Sequence, residues 1–115
     1  MLYNPRQDEV SRDLLAAASI IRDGGLCKGA LWRDEQHCIN GALIEAIYGS
    51  RDAPDWWIAP RVEAAQQRVC HHLNLSPWFN YNTPLVNWNN SYERTKDDVV
   101  NALCGAAGVT ADVLV

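Results

Sequence analysis

Apolar residues recur along most of this chain at the spacing of helix faces. Val10, Leu14, Ala17, Ala18 and Ile21 follow one another at helical intervals, with Asp8, Glu9, Arg12, Asp13 and Arg22 on the other face. Asn4 is a candidate cap for this first helix. Pro5 suits its first position, and Gln7 stands where a capping-box partner would. Gly24-Gly25 supplies the stop. A second helix is predicted from about His37 to Tyr48, with Cys38, Ala42, Leu43, Ala46 and Ile47 on its apolar face and Gly49 after it. A third runs from Pro60 to about Leu73 on Val62, Ala65, Val69 and Leu73, with Glu63, Gln66, Gln67 and Arg68 as its polar side. The last begins at Thr95. There Thr95-Lys96-Asp97-Asp98 is a capping box with Asp in place of Glu, and Val99, Val100, Leu103 and Ala106 lead to a stop at Gly108.

The connecting segments carry less periodicity. Leu26 to Trp32 reads as a short strand-like or irregular crossing, and Arg33-Asp34-Glu35-Gln36 as a turn with Asp34 a candidate cap. Residues 50–59 form a loop holding Pro54 and the pair Trp56-Trp57. Asn74 to Asn90 is the least regular stretch, with six asparagines plus Pro77 and Pro84. At most one helical turn is expected there, from Pro84 to Trp88. Trp78, Phe79, Tyr81 and Trp88 are available to pack such a loop from within. Thr110 to Val115 adds a final turn. The expected fold is all-α. It is a compact bundle of about four main helices with one long ordered Asn/Pro/aromatic loop, in a single domain over residues 1–115. Leu14, Ile21, Leu43, Ile47, Val99 and Leu103 join the first helix to the second and last.

Composition narrows the function classes. Hydrophobic residues are 48% and charged residues 21% of 115, which is globular rather than disordered. A net charge of -4 with no basic run argues against a general nucleic-acid surface, whose affinity comes from Lys and Arg displacing counterions. No run of apolar residues is long enough to span a bilayer, and the first residues lack a signal-peptide pattern, so no membrane partner and a cytoplasmic location are expected. Cys27, Cys38, Cys70 and Cys104 are then expected as free thiols, mostly in the core.

A few constellations remain as sites. Cys70, His71 and His72 are the candidate metal ligands. Neighbours on a helix diverge by about 100°, however, and zinc ligands usually stand two to four residues apart in two clusters. Cys70 with His37 or His71 is a conceivable nucleophile and base, but no nucleophile elbow, papain-like signature or phosphate loop is present. The expectation is a protein without catalytic residues and without a cofactor. Five tryptophans stand out. Trp32 and Trp88 are expected in the core, whereas Trp56, Trp57, Trp78, Phe79 and Tyr81 lie in loops. These loop aromatics are either a local satellite core or anchors for a protein partner. Trp88, Asn89, Asn90, Arg94, Thr95 and Asp98 are read as structural: an aromatic anchor, asparagines bonded to backbone and a helix cap.

The chain also resembles a known family. It carries Cys27-x-Gly29-Ala30-Leu31-x-Arg33-Asp34, then Cys38-x-x-Gly41-Ala42-Leu43, Val86-x-Trp88-Asn89-Asn90 and Arg94-Thr95-x-x-Asp98-Val99. Over roughly residues 10–107 it is similar to an uncharacterised domain family of actinobacteria and their phages, marked by a Trp-Asn-Asp motif followed by Arg-Thr. Here Asn90 replaces the aspartate, and residues 50–60 form a Trp-rich insertion. The resemblance implies a small helical accessory protein and no established activity. The resulting expectation is a non-catalytic protein acting through a protein partner, with a host protein as target and growth inhibition or exclusion of competing phage as effect. The alternatives are a metal- or ligand-binding domain at Cys70, His71 and His72, and self-association through the aromatics.

Overall fold

A computed structural model describes residues 8–77 and 79–114. Helix α1 spans Glu9–Gly24 and starts at Asp8, whose side chain accepts from the backbone N–H of Ser11. Asn4, Pro5 and Gln7 lie outside the described residues, and the cap is Asp8. The helix ends at Gly25, whose φ of 101° is open to glycine alone at low strain. Leu14, Ala17, Ala18 and Ile21 are fully buried, so the predicted stripe is the one that faces the core.

Residues 26–38 turn back on themselves. Strands β1 (Trp32–Arg33) and β2 (Gln36–His37) form a small antiparallel hairpin, with Trp32 opposite His37. Asp34 takes the left-handed φ of 55° that such a tight turn needs, so it serves the turn and caps no helix. Helix α2 spans Ile39–Tyr48. Its cap is Cys38, whose Sγ accepts from the N–H of Gly41 at 3.2 Å, which corrects the placement of Cys38 on the helix face. Gly41 is required by proximity: a Cβ there would collide with the Leu31 carbonyl.

A 3-10 turn at Trp56–Ile58 leads into α3, Pro60–His72, with Pro60 in its first turn. Helix α4 spans Asn82–Asn89, a full helix where sequence composition predicted a loop with one turn. The physical reason is position. Asn82, Thr83 and Pro84 occupy the first turn, where N–H groups have no intrahelical acceptor and proline is harmless. Asn80 Oδ1 accepts from the N–H of Thr83 at 2.8 Å, satisfying one of those donors. Helix α5 spans Lys96–Ala106 behind the predicted capping box, in which Thr95 and Asp98 bond reciprocally. A last 3-10 turn covers Ala111–Leu114.

Among the described residues, five helices and one short hairpin make a mostly α-helical fold. α1 lies at its centre, packed along α5 and α2, with α3 across both. Ile21, Leu43, Val99 and Leu103 sit fully inside, and Ile47 is at the margin. Two polar positions of the first helix also point inward. Asp13, expected at the solvent face, is buried and receives two hydrogen bonds of 2.8 Å from the Arg61 guanidinium.

Candidate functional site

One side of the molecule is held by carboxamides. The 27–31 segment, the start of α2 and helix α4 meet there; a backbone bond from the N–H of Cys38 to the Leu31 carbonyl joins the first two, and side-chain amides tie them to α4. Asn89 joins all three. Its Oδ1 accepts from the N–H of Ile39 at 2.9 Å, and its Nδ2 donates to the Cys27 carbonyl at 3.1 Å and to Asn90 Oδ1 at 3.2 Å. Asn90 Oδ1 also accepts from the N–H of Gly29. Both asparagines bond backbone groups of the 27–31 segment, and Asn89 bonds one of α2 as well.

A second cluster continues the seam. Asn40 Nδ2 donates to Asn82 Oδ1 at 2.8 Å, while Gln66 Nε2 donates to Asn40 Oδ1 at 3.0 Å and to Asn82 Oδ1 at 3.3 Å. Asn40 and Gln66 are both buried. Sequence reading missed this cluster. Gln66 was assigned to the solvent side of α3, and a polar residue in a helix carries no local signal of a distant partner.

Beside the seam lies a cavity of about 270 Å³. Asn40, Asn82, Asn89 and Asn90 form its polar wall, Leu31, Ile39 and Val86 its apolar wall, and Trp56 contributes to its lining. Cys38 also borders it. Burial pushes the Cys38 thiol above its ordinary pKa, so it faces the cavity as a neutral group.

The loop aromatics separate into different environments. Trp56 is half-buried and packs edge-on against Trp57, with ring centroids 6.1 Å apart. Trp57 is 64% exposed and Ile58 67% exposed. Tyr48 Oη donates to the Pro54 carbonyl and ties the approach to this turn onto α2. Phe79 is almost fully exposed, and Tyr81 lies half-buried against the edge of the His71 ring. Trp78 lies outside the described residues. Trp32 and Trp88, expected in the core, are each only half-buried under a guanidinium. Arg51 stands 5.4 Å from the Trp32 ring and Arg94 4.0 Å from that of Trp88. Arg94 also donates to the Trp88 carbonyl, which fixes the turn before α5.

Cys70, His71 and His72 diverge as their helical spacing requires. Cys70 is buried, its Sγ directed to the Tyr81 carbonyl, and burial pushes its pKa to about 11. His71 turns to Tyr81, and the His72 ring covers Gly105 of α5. Among the described residues no three His, Cys, Asp or Glu side chains gather as a metal site would need. His37 faces elsewhere, 3.0 Å from Glu45, which Arg51 also contacts. The hydrogen bond from His37, then that from Arg51, holds the Glu45 carboxyl below its usual pKa.

The model of a family of unknown function, DUF6197, matches residues 5–109. The chain belongs to this family. The match takes in α1 to α5, and so the whole seam and the cavity beside it. No curated protein and no solved structure matches the chain. Among the described residues no helix is long and apolar enough to cross a membrane.

Proposed function

We propose that this member of DUF6197 is a non-catalytic binding protein that holds a protein partner through the ridge formed by Trp57 and Ile58. One observation carries the proposal. Two large apolar side chains, 64% and 67% exposed, follow one another on a single 3-10 turn. Trp56 braces the turn from below, and the Tyr48 hydroxyl holds its approach. Solvated apolar surface on a fixed element gains nothing in the free protein, whereas aromatic anchors dominate the energetics of protein interfaces.

The resemblance to a family of actinobacteria and their phages suggests the setting: an accessory protein in the bacterial cytoplasm whose partner is a host protein, with inhibition of growth or exclusion of other phage as outcome. The divergent orientations of Cys70, His71 and His72 lend no support to the metal-binding alternative.

The test is affinity capture from a host-type lysate, with wild type beside a Trp57→Ala/Ile58→Ala double variant. Trp56 is left in place because it is half-buried beside the cavity. A specific protein retained by wild type and lost by the folded variant is expected. Equal capture by both overturns the proposal.

A further inference from the structure

The cavity beside the carboxamide seam adjoins the Trp57–Ile58 ridge through Trp56 but has a chemistry of its own. Its volume, about 270 Å³, lies near the lower limit of small-molecule pockets, the size of a single small ligand. Among the described residues, none of the side chains lining it is charged. A ligand with a formal charge would find no counter-ion in its wall and would lose hydration on entry.

Two carboxamide oxygens of the wall are already engaged. Asn82 Oδ1 accepts from both Asn40 and Gln66, and Asn90 Oδ1 accepts from both Gly29 and Asn89. These bonds fix the orientation of both carboxamides. The Nδ2 groups of Asn82 and Asn90 make none of the described hydrogen bonds, so each keeps N–H donors for a further partner. Trp56 adds an indole, the kind of surface on which flat rings stack.

We propose that this cavity binds an uncharged nucleobase or nucleoside. The ligand is flat, so it can lie against Trp56. It is neutral, matching an uncharged wall. It carries ring nitrogens and carbonyl oxygens, acceptors for the donors of Asn82 and Asn90. A sugar of similar size lacks the flat face.

The experiment is a two-dimensional amide NMR titration of the full chain with uridine, with adenosine and, for contrast, with methyl glucoside. Saturable shifts of the Trp56 indole N–H and of the Asn82 and Asn90 carboxamide signals are expected with at least one nucleoside. Val86→Phe fills the cavity and weakens that binding at least tenfold. Trp56→Leu removes the stacking face, is expected to weaken binding similarly, and serves if Val86→Phe does not fold. Three results overturn the proposal: no shift at millimolar nucleoside, affinity unchanged in the folded variants, or methyl glucoside binding tighter than either nucleoside. The readout contains no protein partner, so it fails or succeeds independently of the ridge.

Discussion

The two halves of this molecule are held together by different physics. Around α1, the contacts with α2 and α5 are apolar: Leu14, Ile21, Leu43, Val99 and Leu103 are fully enclosed by one another and by small residues. Across the seam, the 27–31 segment, α2 and α4 are joined by side-chain amides, each bond running to a named atom. Burial of apolar surface is non-directional and scales with area. A buried carboxamide is directional, and it leaves a desolvated donor or acceptor behind when removed. The first half should therefore tolerate changes in shape that keep volume, and the second should not tolerate changes that keep volume but lose an amide.

The sharpest way to break that contrast is at Asn89. Asn89→Leu keeps much of the volume but leaves the Ile39 N–H and the Cys27 carbonyl without their partner. At roughly 1–3 kcal/mol for each stranded group, a loss of about 4 kcal/mol in urea unfolding is expected. A loss below about 1 kcal/mol would show that the seam is not held by these bonds. Leu43 gives the matching probe of the apolar half. Leu43→Ala is expected to lose about 3 kcal/mol, and Leu43→Met less than about 1.5 kcal/mol. Equal losses from the two variants would remove the distinction.

Smaller effects sharpen it. Thr95→Ala breaks the capping box and should lower stability by about 1 kcal/mol, read from the thermal midpoint. At Glu45 the expected effect depends on pH. Its folded pKa lies below the ordinary 4.5, because the carboxylate accepts from His37 and Arg51. The stabilisation is thus present above pH 4.5 and lost as pH falls through the folded value. Glu45→Gln should be less stable than wild type at neutral pH, with the gap closing in acid. A gap of constant size across that range would place its cause outside Glu45 ionisation.

The same contrast explains what could be read from the residues alone. Four helices were legible because periodic apolar residues state their own burial, and the Thr95 cap because its partner stands three residues away. Helix α4 was not, since Asn82, Asn89 and Pro84 count against a helix by composition, although two stand at its ends and Pro84 in its first turn. The union of Asn40, Gln66 and Asn82 was invisible for another reason. A hydrogen bond spanning 42 or 26 residues leaves no mark on local spacing. The aromatics were visible as a group, but their division into the braced Trp56 and the exposed Trp57 depends on the hand of one short turn. Asp13 shows the converse limit, because a carboxylate on a helix reads as solvent-facing until Arg61 is known to lie across from it.

The Asn89 bonds span 50 and 62 residues, and the apolar contact of α1 with α5 spans a longer stretch of chain still. Closing a long loop must be completed before its contacts stabilise anything, so such contacts form late in folding. Both contacts share that cost, but the bonds of the seam also require each donor to stand opposite one particular acceptor. Loss of Asn89 is expected to accelerate unfolding more than it slows folding, a difference read in the two arms of a denaturant chevron.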